Sequence, residues 1–237
     1  MRTLQLIFLG ILFSFSLSAQ YYNKNDRFIV GLNGGVVKPL GDFADVSKAG
    51  IDLSLNAKML LNPKIAVGLS AGYMDFGQDD KFWNSANLGK NTVNYQIIPL
   101  IFTATYFIQA YDLDFRPYAS LGFGYFIYRN HVDFESANPA EYPYNNTASL
   151  EYTINDNKVG LIPSLGFLYN LSKEWAVDVN AKYTYIPNFD EVRSVKQTYT
   201  HVADAYEGDK TRLIENYATG FSKIASASLT VGLYYRF

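Results

Sequence analysis

The sequence predicts an all-β fold: an eight-stranded antiparallel up-and-down β-barrel that crosses a membrane, with short turns at one end and long loops at the other. Three observations predict it. Apolar and polar residues alternate with period 2 along most of the chain. The alternating segments are joined by connections that are short and long in turn. Aromatic residues make up 16% of the chain, with 20 Tyr and 17 Phe, and they gather where the apolar faces end. Tyr and Trp have an apolar body and a polar tip, which suits a boundary between lipid and water.

Composition narrows the class further. The 237 residues suffice for one larger all-β domain or two small ones, and no linker or composition shift marks a second. A formal net charge of −2 argues against nucleic acid as a partner, because phosphate binding needs clustered Lys and Arg. The chain has no cysteine, which excludes a disulfide framework, a thiolate metal site and an N-terminal lipidated Cys. No cofactor is expected.

Residues 1–19, MRTLQLIFLGILFSFSLSA, read as a signal peptide. Arg2 supplies the positive start, Leu4 to Phe15 the apolar stretch, and Ser18-Ala19 the small residues before a cut. The run is shorter than the ~20 apolar residues a spanning helix needs. The barrel domain is therefore expected over residues 20–237.

Eight strands are expected, at roughly 27–37, 48–60, 64–76, 92–108, 115–130, 157–170, 174–187 and 221–237. The second is a clear case, with Ile51, Leu53, Leu55, Ala57 and Met59 on one face and Asp52, Ser54, Asn56 and Lys58 on the other. The fourth holds the longest apolar run, Ile97 to Ile108, but Pro99 and its β-branched residues argue against a helix. In the seventh, Trp175, Val177, Val179, Ala181, Tyr183 and Tyr185 oppose Asp178, Asn180, Lys182 and Thr184. In the eighth, Leu229, Val231, Leu233, Tyr235 and Phe237 oppose Ser228, Thr230, Gly232, Tyr234 and Arg236. Connections 61–64, 110–115 and 171–174 are short, whereas 38–47, 77–91, 131–156 and 188–220 are long. The loops 131–156 and 188–220 are long enough to hide a further hairpin, which would make ten strands.

Alternation alone does not say which face points inward, since a soluble lipocalin-type barrel alternates with its apolar face inside. Strand length beyond ~9–11 residues favours the membrane. So do small residues on the polar face, among them Gly31, Gly68, Gly122, Gly166 and Gly232, because an eight-stranded interior is narrow. An aromatic girdle is expected at both ends, from Trp175, Tyr235 and Phe237 near the short turns and Tyr73, Tyr125, Tyr183 and Tyr185 near the long loops.

The chain closes with TVGLYYRF, in which Thr230, Gly232, Tyr235 and Phe237 form a polar–glycine–aromatic–aromatic pattern. This resembles the C-terminal assembly signal of Gram-negative outer-membrane barrels. The mature chain resembles the small OmpX/OmpW-like proteins of the outer-membrane β-barrel-domain family. Val36 to Phe43 (VVKPLGDF) and Tyr95 to Tyr106 (YQIIPLIFTATY) look like recurrent features of that family. The resemblance implies residence in the outer membrane among its lipids, both termini in the periplasm, and delivery through the barrel-assembly machinery. It implies a location more than an activity.

Candidate functional residues fall into two groups. Asp52, Lys58, Arg116, Asp178, Lys182 and Arg236 are expected to share the barrel lumen, as a rigid plug of paired charges or as the lining of a narrow pore. The loops form the second group. Loop 131–156 carries Asp133, Glu135, Glu141, Glu151 and Asp156 without Lys or Arg, together with Tyr142 and Tyr144, which suits contact with a surface ligand. His131, Asp133 and Glu135 alternate as possible metal ligands, but loop histidines are usually solvated. An acyl-transferring enzyme would need a nucleophile and base, for which Ser136 and His131 are the nearest pair. The leading expectation is a non-enzymatic surface or structural protein. An OmpW-like narrow channel for small or apolar solutes is second, and a lipid-modifying enzyme third.

Overall fold

A computed structural model of the chain describes residues 28–79, 90–109, 114–135, 149–188, 198–201 and 221–237. The strands are β1 (Phe28–Leu40), β2 (Ser47–Asn62), β3 (Ile65–Gln78), β4 (Lys90–Phe107), β5 (Phe115–Glu135), β6 (Ser149–Asn170), β7 (Trp175–Ile186), β8 (Thr198–His201) and β9 (Ile224–Arg236). One helical turn, α1 (Phe43–Val46), lies between β1 and β2.

Strands β1 to β7 pair antiparallel in chain order, and β9 pairs with both β7 and β1, which closes the sheet on itself. These eight strands are the barrel wall. At the seam Leu32 faces Leu233 and Ile29 faces Arg236. Phe28 and Phe237 exchange backbone hydrogen bonds there, N to O in each direction, at 3.2 and 3.0 Å. Closure leaves no strand edge in the wall, and so no row of unpaired N–H and C=O groups.

The short turns have local causes. Asn62 Oδ1 accepts from the backbone N–H groups of Lys64 and Ile65, both at 2.8 Å, which folds the chain back between β2 and β3. Ser172 Oγ does the same for Glu174 and Trp175, both at 3.1 Å, between β6 and β7.

The barrel is inverted relative to a soluble protein. Leu69 and Leu165 are each 66% exposed on its outside, whereas Asp178 and Arg116 are 0% exposed within it. A lipocalin-type barrel would show the reverse. Water does not tolerate so large a belt of exposed Leu, Ile, Val and Phe, and lipid does.

Two expectations need correction. Strands β5 and β6 run past their predicted ends at 130 and 157, so much of the connection 131–156 is strand; residues 136–148 lie outside the described residues. On β5 the outward apolar series ends at Ile127 and gives way to exposed Arg129. The strand continues for about eight residues beyond, roughly 25 Å of chain. Among the described residues, the connection 188–220 contributes one short strand, β8, on the edge of β6, with Glu151 opposite His201. Residues 189–197 and 202–220 lie outside the described residues. The wall remains eight-stranded.

Candidate functional site: the barrel interior

Inward-facing residues form three layers. Nearest the short turns, Ile29, Leu60, Ala66, Phe107, Tyr118, Leu168, Ala176 and Tyr234 make an apolar floor. Toward the long loops a larger cluster includes Phe43, Met74, Phe76, Tyr95, Phe126, Tyr128 and Phe221. Polar side chains occupy the level between.

The polar layer is knitted across the lumen. Lys182 on β7 pairs with Asp52 on β2 at 2.7 Å, although β9 and β1 lie between their strands. Asp178 accepts hydrogen bonds from Asn33 Nδ2 and Tyr118 O–H, each at 2.7 Å. Asn33 Oδ1 accepts in turn from Tyr234 O–H at 2.7 Å and Asn56 Nδ2 at 2.9 Å. Lys58 Nζ lies 4.8 Å from the centre of the Tyr118 ring and 5.5 Å from that of Tyr234, and it interacts electrostatically with Asp178. Two carboxylates and two ammonium groups thus cancel within one layer. Burial of charge at this depth requires such pairing.

Neighbouring strands make room for these side chains. A Cβ on Gly31 would collide with the Tyr234 ring, and one on Gly166 with the Tyr118 ring, so each tyrosine lies over a bare backbone. A Cβ on Gly232 would collide with the Asn33 side chain.

A cavity of about 50 Å³ remains in the polar layer, lined among others by Asp52, Asn56, Ser164, Asn180, Lys182 and Thr230. Asp52 Oδ1 and Asn180 Oδ1 have no donor within the protein. The size and lining suit about three ordered waters.

The predicted lumen charges divide in two. Asp52, Lys58, Asp178 and Lys182 come together as described. Arg116 and Arg236 also point inward but reach toward the turns. Arg116 donates to Pro63 O at 3.0 Å and lies 4.1 Å from the Phe107 ring centre. Arg236 donates to Lys173 O at 3.3 Å and to Asn170 Oδ1 at 2.9 Å. Both arginines tie short turns to the barrel floor.

The terminal pattern splits by face. Thr230 and Gly232 point inward, and Tyr235 and Phe237 outward. Of the predicted girdle, Tyr125, Trp175 and Tyr183 are exposed on the outer surface, and Tyr73 and Tyr185 are half-buried on the same face. Trp175 packs edge-on against Tyr235 with ring centres 5.0 Å apart. Phe28, Tyr106, Phe115 and Tyr169 are also exposed on that face near the short turns, and the sequence reading did not include them.

It also missed Asn33, Tyr118 and Tyr234, which link the polar network. Their sequence signal was their inward parity, two residues from glycine or arginine positions assigned to the interior. No His, Cys, Asp or Glu trio among the described residues is placed to hold a metal ion. The side chains of Asp133 and Glu135, and Ser136 altogether, lie outside the described residues, so the candidate ligand set and the Ser136–His131 pair are not assembled here.

Closed wall, inverted faces and filled interior together describe a small transmembrane barrel. Residues 7–237 match the family described as outer membrane protein beta-barrel domain. The chain belongs to that family. As a member it is an integral outer-membrane protein, and its exposed apolar belt is its lipid contact. No curated protein matches the sequence. Among solved structures, a major outer membrane protein from Thermus thermophilus shares 17% identity at a TM-score of 0.55, covering 89% of this chain and 99% of that one. This likeness shows the fold. Neisserial surface protein A shares 13% identity at a TM-score of 0.45, covering 89% of this chain and 97% of that one. The outer membrane protease OmpT from Escherichia coli shares 11% at 0.46, covering 93% of this chain and all of that one.

Proposed function

We propose that this protein is a non-enzymatic surface protein: a closed barrel that anchors outward-projecting strands and loops for contact with a ligand outside the cell. The observation that carries the reading is the pairing of Asp52 with Lys182 across the lumen, between two apolar layers. A lumen filled in this way serves rigidity better than passage. The extension of β5 and β6 beyond the apolar belt supports the second half, because strands that continue past the lipid give loops a stiff base. In this reading the short turns and both termini face the periplasm. Thr230, Gly232, Tyr235 and Phe237 present the last strand to the assembly machinery.

The test is to replace residues 136–148 and 202–220 with short Gly-Ser turns. The account expects an unchanged heat-shift on gels and at least a tenfold loss of cell attachment to protein-coated and polysaccharide-coated surfaces. Equal attachment by the trimmed and full chains would refute the contact role.

A narrow channel is the second reading, and the polar cavity between the layers favours it. In that case Asp52→Ala or Lys182→Ala would alter ion selectivity. For a lipid-modifying enzyme, His131→Ala would change lipid acylation, and the surface reading expects no change.

A further inference from the structure

Phe43 is buried inside the barrel mouth although it belongs to no wall strand. It enters on α1, from the connection between β1 and β2. Its ring meets three others edge-on: Phe76 of β3 at 5.1 Å, Tyr95 of β4 at 5.5 Å, and Phe221, just before β9, at 5.3 Å. Since β3 and β4 stand on one side of β1 and β2 and β9 on the other, the contacts bridge the opening. Val46 follows Phe43 inward and is also buried.

The backbone on either side of this segment is irregular. Gly41 has a φ of 60°, which favours glycine. After α1, the pairing of β2 with β3 breaks register between Ser47 and Gly50. Within the segment Ala44 N–H donates to Gly41 O at 2.8 Å and Asp45 N–H to Asp42 O at 3.2 Å, which closes the turn on itself. Ser47 Oγ donates to Phe43 O at 2.6 Å, and Asp79 N–H donates to Val46 O at 3.0 Å. The Phe43 side chain itself is held by apolar contact with the ring socket.

Below the socket, Met74, Ile101 and Ile162 belong to the same apolar cluster as Phe43 and also line the polar cavity. The cluster is therefore the roof of that cavity.

We propose that residues 41–46 are a hinged plug, with Phe43 as the seal that separates the polar chamber from the long-loop side. When the seal is withdrawn, the chamber opens outward. Its charges cancel, so it admits water or a small neutral polar solute in preference to an ion. This role concerns the lumen and stands apart from the contact role of the loops.

The native chain has no cysteine, so one introduced thiol reports alone. Ser164, on the chamber wall, is the reporter position. Ser164→Cys is refolded into vesicles and treated from the long-loop side with a membrane-impermeant methanethiosulfonate, and a thiol at exposed Lys48 serves as the accessible control. The expected result is slow modification at 164 with Phe43 in place, and modification at least tenfold faster with Phe43→Ala. Phe43→Leu, which keeps most of the apolar volume, stays near the native rate. Phe221→Ala removes another ring of the socket, so it speeds modification as well and tests the seal if Phe43→Ala fails the heat-shift check. Rapid modification with Phe43 in place would overturn the proposal. So would an unchanged rate in the folded Phe43→Ala or Phe221→Ala protein.

Discussion

Replacing Lys182 by methionine keeps the length of the side chain but strips Asp52 of its partner. The cost depends on what surrounds the pair. In a wide, water-filled lumen an ion pair contributes about 0–1 kcal/mol, because water and salt screen it. In a closed lumen the remaining carboxylate is left charged and buried, and breaking such a pair costs about 3–5 kcal/mol. The Asp52 side chain is 1% exposed and that of Lys182 12%. The small cavity beside them gives some polar relief, which places the expected loss near the lower bound, about 3 kcal/mol. That is roughly a hundredfold in the unfolding equilibrium. The double variant Asp52→Leu/Lys182→Met removes both charges and should recover most of this loss, since a well-packed apolar pair replaces a buried ion pair at little cost. The assay is reversible guanidinium unfolding in lipid vesicles, followed by tryptophan fluorescence. A loss below about 1 kcal/mol for Lys182→Met, with no recovery in the double variant, would mean that the pair is hydrated and the lumen open.

Other substitutions test other layers. Gly31→Val places a side chain where the Tyr234 ring lies; the resulting overpacking should cost about 1–3 kcal/mol and lower the unfolding midpoint, and Tyr234→Ala in the same chain should relieve part of it. Arg116→Met loses the bond to Pro63 O and the contact with Phe107. It should destabilise by about 1–3 kcal/mol and speed tryptic cleavage at Lys64 in the turn it holds. Trp175→Ala removes a ring that packs on Tyr235 at the lipid boundary; about 1 kcal/mol of stability should go with it, and Trp175→Phe should retain most of that.

How much of this was legible in the sequence depended on the solvent at each position. Along β2, β7 and β9 one face meets lipid and the other the polar layer, so alternation named both faces correctly. It misled where the apolar face turns inward. Met74 and Phe76 on β3, Tyr95 and Ile97 on β4, and Phe126 and Tyr128 on β5 all point inward, into the outer apolar layer. Their neighbours Asp75, Gln96 and Arg129 face outward, so there the apolar side, not the polar one, marks the interior. The reach of β5 and β6 was underestimated for another reason. Beyond the lipid both faces meet polar surroundings, and the membrane no longer imposes a pattern.

Charge guided the search for the site and also limited it. Asp52, Lys58, Asp178 and Lys182 were found because charges on an inward face need partners. Asn33 is neutral, yet it bonds to Asp178, Asn56 and Tyr234. Tyr234 stands between Leu233 and Tyr235, where only its parity distinguishes it from its outward neighbours. Arg116 and Arg236 are buried inward-facing residues, but their bonding to the turns depends on how the short connections fold under the floor. Phe43 could not be found by strand periodicity at all, because it reaches the interior from a turn.

The central claim is that the lumen is filled and sealed. Planar-bilayer conductance of the refolded chain, residues 20–237, tests it most directly once a heat-shift gel confirms folding. The account predicts an electrically silent membrane, both for the native protein and after the loops are trimmed. Steady unitary currents from the folded native protein would contradict it.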